Sequence, residues 1–355
     1  QVAVLDDAAQ PDLARGLAQL IAVLDRKRPD LGPRLGRSHT EKEGGAPAWR
    51  ELFIADACNL KCSFCCESLR IGQGTFMAWE KIESNLRSFA ADGVRVVQFM
   101  GGEPSIHPRF ADALRLSRDL GLRNYAITNL LRWKSRAFAE EVGPLLDELM
   151  ISMHAGGEES GRLITGKAGW WDAFQAGVTN AKETLTGRIY GATVLSVHSV
   201  ADLEAIADAY IALGCQKWVM GNSVPIDGAP KTSLDLNLSI SQQRHLMDRF
   251  RDLHGRCAAG GVELIFFCVP DCVLAEELWP WSHDRMLHDQ DLSGVTGGDA
   301  VNFWSRTDFQ AEDVRAVQLG RRFGEPCQTC PRMGTCGGYF GEYLDAFGDG
   351  ELGRS

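Results

Sequence analysis

The chain has 355 residues, of which 45% are hydrophobic and 24% charged, and it carries a formal net charge of −10. That length suits two domains, or one large domain with an appendage, and the composition is that of an ordinary globular protein. The negative balance argues against broad nucleic-acid binding, and no apolar run approaches the roughly 18 residues of a membrane span.

In chain order, residues 12–25 place Leu13, Leu17, Leu20, Ile21 and Leu24 on one helical face. A Gly-, Pro- and charge-rich stretch at 32–48 reads as a linker. The basic run at 25–37 reads as a solvated helix end and linker. A strand–helix rhythm then begins. Strands are expected at 51–57, 95–100, 123–128, 148–153, 189–196 and 217–224. Helices fall between them, with Gly93 and Gly121 as stop signals and the clearest helix at 203–214. Ser239 and Gln242 form a possible capping box before a helix that should bury Leu246, Met247, Phe250, Leu253 and Cys257. Six alternations imply a parallel sheet with right-handed crossovers, too few for a closed eight-fold barrel. An open, three-quarter barrel fits, and so does a doubly wound sheet. Beyond 260 the rhythm stops. The stretch "GVELIFFCVPDC" is strand-like, and an irregular region rich in Trp, Gly and Cys follows. The expected organisation is an N-terminal extension (1–48), an α/β domain (49–260) and a small appended domain (261–355).

Eleven cysteines are too sparse for a disulfide scaffold and odd in number. They cluster at 58–66 and 257–336, and the first residues, "QVAVLDDAAQ", lack the basic and apolar regions of a secretory signal. Clustered thiols in a reducing, cytoplasmic setting read as metal ligands. The first group, Cys58-x3-Cys62-x2-Cys65, follows the first strand, and strand–helix folds bind ligands at the carboxyl ends of their strands. Structural zinc normally takes four ligands, whereas an iron–sulfur cluster can use three thiolates and leave one iron open. Buried structural cysteines or a partial zinc site are the plainer readings. Cys66 is then left over, as a small packing residue behind the loop.

Cys58, Cys62 and Cys65, with Phe64 before the third, resemble the C-x3-C-x2-C motif of the radical S-adenosylmethionine (SAM) superfamily. Gly101-Gly102-Glu103-Pro104 resembles that family's GGEP loop. Weaker likenesses follow in order: Thr128-Asn129, with Leu130 where the family often has glycine, then Ser152, "ITGKAGWWDAF" at 164–174 and "SVPIDGAP" at 223–230. In the 164–174 stretch Thr165 stands where the family has arginine, and Arg162 is the possible substitute. The resemblance covers about residues 50–230 and implies a partial (β/α)6 TIM-like barrel. It also implies a 4Fe–4S cluster on the three cysteines and SAM on its open iron. SAM would be contacted by Gly101, Gly102, Glu103, Pro104, Thr128 and Ser152. Reductive cleavage would yield a 5′-deoxyadenosyl radical that abstracts hydrogen from a peptide or small molecule (a sugar, nucleoside or cofactor precursor). An electron donor such as flavodoxin or ferredoxin would supply the electron. The Glu103 carboxylate would suit a nearby ammonium.

The second group, Cys327-x2-Cys330-x5-Cys336, with Cys268 and Cys272 upstream, fits zinc and iron–sulfur alike on spacing alone. It resembles the C-terminal SPASM or twitch extensions of the same superfamily, although Phe340 stands where their next cysteine would be. The resemblance implies one auxiliary 4Fe–4S cluster on Cys272, Cys327, Cys330 and Cys336, with Cys268 competing for the place of Cys272. A zinc or iron–sulfur protein without SAM chemistry, structural or electron-transferring, is the reading from another class. His107, His154 and His198 are pocket candidates that more simply read as ordinary histidines. Trp279 and Trp281 fit either a pocket wall or the core, and Cys215 fits the core.

Overall fold

The computed structural model describes residues 49–65, 71, 74–223, 235–282, 321–333, 336 and 338–353. The expected helix at 12–25, the linker, Cys66 and most of the 223–230 turn lie outside the described residues.

Six strands alternate with helices: β1 (Trp49–Asp56), β3 (Val96–Gly101), β4 (Arg123–Thr128), β5 (Glu148–Ser152), β6 (Arg188–Leu195) and β7 (Lys217–Asn222). All pair in parallel, in sheet order β2-β1-β3-β4-β5-β6-β7-β8. This is the expected partial TIM-like architecture, an open sheet rather than a closed barrel. A two-residue β2 (Thr75–Phe76) runs antiparallel along β1 at one edge. At the other edge, β8 (Glu263–Phe267) adds a seventh parallel strand beside β7. The strand-like stretch after 260 is therefore part of the main sheet, and the expected boundary at 260/261 does not coincide with the sheet's edge. The apolar run Leu264-Ile265-Phe266 is the physical reason, because only a neighbouring strand and a covering helix bury both its faces.

The crossover helices lay one apolar stripe on the sheet. Helix α1 (Trp79–Ala91) buries Ile82 and Leu86, and Gly93 beyond it takes the left-handed φ of +76°. Helix α2 (Phe110–Asp119) buries Phe110, Ala113 and Leu114, and Gly121 follows at φ +81°. Helices α3 (Arg136–Val142), α4 (Glu158–Thr165) and α5 (Trp170–Thr184) continue the layer. Helix α6 (Leu203–Leu213) presents Tyr210, which fits over the bare Cα of Gly191. Its hydroxyl is shared between the carbonyls of Ile151 (2.9 Å) and Ala192 (3.1 Å). The expected helix after Ser239 is two helices, α7 (Ile240–His245) and α8 (Met247–Ala259), separated at Leu246. Leu246 and Met247 are consequently half-buried, whereas Phe250, Leu253 and Cys257 are in the core. The capping box of Ser239 and Gln242 is formed.

Strand positions alternating with the helix-facing ones carry Tyr125, Met150 and Tyr190. Tyr125 donates to the Met150 sulfur at 3.6 Å and meets Tyr190 edge to face. These side chains cluster on the sheet face away from the helices, toward the amino ends of the strands. Open space for chemistry is thus left to the carboxyl ends of the strands. Past β8, the described chain adds β9 (Arg321–Arg322) antiparallel to β10 (Tyr339–Phe340), then α9 (Gly341–Phe347).

Candidate active site

The loop after β1 carries Cys58, Cys62 and Cys65, each half-buried. It is held from both sides. Lys61 and Ser63 donate backbone N–H bonds to the carbonyls of Thr165 (2.9 Å) and Ile164 (2.8 Å) at the end of α4. Gly102 and Glu103 donate to the carbonyls of Ala55 (2.7 Å) and Ala57 (2.9 Å). The GGEP loop and the cysteine loop are thereby one backbone unit. Its closeness explains both glycines. A Cβ on Gly102 would lie 2.4 Å from the Ala57 carbonyl oxygen, and one on Gly101, at φ +147°, 2.3 Å from that of Ala55.

Glu103 does not offer a free carboxylate. It is 1% exposed. Oε1 accepts from Ser105 N–H (3.1 Å), Ser105 Oγ (2.6 Å) and Thr128 Oγ1 (2.8 Å), and Oε2 accepts from Asn129 N–H (2.7 Å). Burial pushes its pKa up, and these donors oppose that. Its carboxylate ties the GGEP loop to the end of β4. Pro104 starts the short 3-10 turn Pro104–Ile106, and Thr128 is spent on Glu103. Asn129 carries the link onward, its amide reaching Asn59 Oδ1 (2.7 Å) and the Cys58 sulfur (3.7 Å). Sequence reasoning left Asn129 out of the candidate site residues, although it followed a named one. Leu130 takes a left-handed backbone, at φ +66°. For a leucine this costs about 1–2 kcal/mol.

Ser152 ends β5 opposite Ala192. Two residues on, His154 lies edge-on to Phe64 at 4.7 Å, and its Nδ1 accepts from Val194 N–H at 3.0 Å. Burial lowers its pKa to about 3, so the ring is neutral with its proton on Nε2. His107 is likewise held in place, between Met77 O and Arg109 N–H. Thr165 bonds its own helix at Gly161 O (2.7 Å).

The three thiols sense one another, and burial pushes that of Cys58 up to about 12. Cys62 is raised further, again chiefly by burial. Buried thiols whose thiolates would repel one another stay protonated unless a cationic group compensates, as a bound metal cluster would. Among the described residues no three His, Cys, Asp or Glu side chains converge on a single ion.

A second site lies past β8. Cys272, Cys327, Cys330 and Cys336 line one pocket together with Arg332, Met333, Leu352 and Gly353. Its atom-free space is about 320 Å³, part of it open to solvent. Cys268 does not line this pocket. It sits at φ +54° with its sulfur 2.8 Å from Arg321 Nη2. Trp279 is buried beneath the site, with the Arg332 guanidinium 3.3 Å over its ring. Trp281 packs on His254 instead, and Cys215 is in the core.

Residues 52–210 match the family model described as the radical SAM superfamily. "GTP 3′,8-cyclase 1" of Pseudomonas aeruginosa is 30% identical over 171 residues, 46% of this chain and 50% of that protein. The chain spans half or less of the length of the curated relatives it matches first. Two solved structures share the fold. One is anSMEcpe with bound AdoMet and Cp18Cys peptide (TM-score 0.58, 14% identity, 85% of this chain and 95% of that one). The other is Streptococcus suis SuiB bound to precursor peptide SuiA (TM-score 0.56, 15% identity, 87% and 75%). Among the described residues no helix is long and apolar enough to cross a membrane. The cysteine loop and the GGEP loop packed against it both lie within residues 52–210, the stretch that matches the radical SAM superfamily model.

Proposed function

We propose that the chain is a radical SAM enzyme in which Cys58, Cys62 and Cys65 hold a 4Fe–4S cluster and Cys272, Cys327, Cys330 and Cys336 hold an auxiliary one. The observation that carries the reading is the single backbone unit formed by the cysteine and GGEP loops at the carboxyl edge of the sheet. When bound, the cluster and SAM supply a one-electron cleavage that produces a 5′-deoxyadenosyl radical able to abstract hydrogen.

The chain's own residues orient and shield. The backbone at Gly101 and Gly102 gives a close approach next to Cys58, with no side chain in the way. Glu103, Thr128 and Asn129 hold that loop in register with Cys58. Phe64 and neutral His154 wall the cleft without adding charge. Tyr125, Met150 and Tyr190 floor it and keep water out.

The substrate is a peptide or a small molecule such as a nucleoside. Sequence relatives named GTP 3′,8-cyclase support the latter, and fold neighbours solved with peptides support the former. Four cysteines around the second pocket favour a closed auxiliary cluster over one that binds substrate through an open iron. Flavodoxin or ferredoxin would be the electron donor. Anaerobically reconstituted protein should be brown, hold about eight irons and release 5′-deoxyadenosine from SAM once reduced. Colourless protein carrying two zinc ions would sink the reading, and an iron-loaded protein that never cleaves SAM would leave an electron carrier.

A further inference from the structure

A residue from the barrel side, outside the pocket's lining, ties two of the lining segments of the four-cysteine pocket together. Arg244, on α7, donates from Nε to the Cys272 carbonyl (3.1 Å) and from Nη2 to the Gly353 carbonyl (2.5 Å). The same guanidinium lies beside the Cys272 sulfur, which the Gly353 amide also approaches. One side chain thus joins three segments: α7, the turn bearing Cys272, and the segment at 348–353 that forms a wall of the pocket. That segment is anchored independently, since Glu351 Oε2 accepts from the N–H of Ile240 (3.1 Å) and from Tyr343 OH (3.1 Å).

Arg244 differs from the acid-paired arginines of this chain. Its hydrogen bonds run to neutral carbonyls, and among the described residues no carboxylate pairs with it. Arg332, the other guanidinium at this pocket, lies 3.4 Å from Glu276. Most surface arginines, such as Arg115 and Arg136, are similarly matched to acids. An unneutralised cation next to a cluster ligand stabilises the more negative, reduced form, and donors to cysteine ligands act in the same direction.

We infer that Arg244 is a positioning residue of the auxiliary site whose unneutralised charge, held against Cys272 by its two carbonyl bonds, raises the reduction potential of the cluster bound there. This inference rests on the auxiliary-cluster reading above. The test is an EPR-monitored redox titration of the reconstituted full chain, with SAM added to mark the cluster at Cys58, Cys62 and Cys65. Arg244→Gln keeps an amide donor and removes the charge, whereas Arg244→Lys keeps the charge and loses the planar fork. The SAM-insensitive signal should move to a more negative midpoint potential in the glutamine variant and stay near the parental value in the lysine variant. The SAM-responsive signal should not move in either. Should glutamine cost the second cluster its iron while lysine retains it at the parental potential, the charge is still the operative property. Full iron with both potentials unchanged in the glutamine variant would overturn the inference, as would an equal shift, or equal loss of the second cluster, in both variants. A parental protein holding only about four irons would instead remove the auxiliary-cluster reading itself.

Discussion

The two cysteine sites are built in opposite ways. At the first, three thiols come from eight consecutive residues of one loop, and the neighbouring GGEP loop adds a backbone frame and no further sulfur. At the second, one cysteine comes from the turn after β8 and three from 327–336, and the walls come from 352–353 and Arg332. The first is a local motif fastened to a sheet edge. The second exists only when three distant segments meet. With clusters bound as proposed, three ligands would leave the first site an open coordination position, and four would leave the second none.

The largest expected effect breaks that comparison at the ligands themselves. Cys62→Ala should remove about four of about eight irons and all SAM cleavage, whereas Cys272→Ala should remove a similar amount of iron and leave 5′-deoxyadenosine formation detectable. Iron analysis beside product chromatography checks both. Cys268→Ala should leave iron content unchanged, and an iron loss there would reassign the fourth ligand.

Next comes the frame of the first site. Gly102→Ala forces a Cβ onto the Ala57 carbonyl and against Cys58 Cβ. It should cost about 1–3 kcal/mol, read by denaturant unfolding of the apoprotein, and lower the yield of the first cluster more than that of the second. Glu103→Gln turns an acceptor of four hydrogen bonds into a group whose amide faces donors. A loss of about 2 kcal/mol is expected, with weaker SAM binding and intact auxiliary iron. Equal damage to both clusters would show that the two sites are not independent.

The smallest effect is a pH dependence. The folded pKa of His154, about 3, lies below its unfolded value, so the unfolded chain binds the proton more readily between pH 6.5 and 3. Its contribution to stability is therefore complete above pH 6.5 and is lost as pH falls through that window. His154→Gln should flatten the acid limb of the stability curve there. An unchanged limb would mean that His154 is solvated in the folded state.

Much of the first site was legible because its information is short-range. Spacing places Cys58, Cys62 and Cys65 on one loop, and the strand–helix rhythm puts that loop at a strand's carboxyl end. The role of Glu103 was not legible. A carboxylate in a glycine loop reads the same whether it faces solvent or the Thr128 and Asn129 donors, and only the register of β3 against β4 brings those two to it. The same holds for β8, whose apolar run gave no sign that it would extend the main sheet.

By itself, the sequence determined what depends on neighbours along the chain: the six strand–helix units, the glycine stops after α1 and α2, the capping box at Ser239, and the three-cysteine loop. The tertiary structure alone decided which upstream cysteine joins Cys327, Cys330 and Cys336 at the second pocket. Cys268 and Cys272 are four residues apart and chemically identical. The left-handed turn at Cys268 gives its sulfur to Arg321, and the next turn, held by Arg244, delivers Cys272 to the pocket that Gly353 lines. Burial and hydrogen-bond partners, which no spacing rule encodes, separate the two.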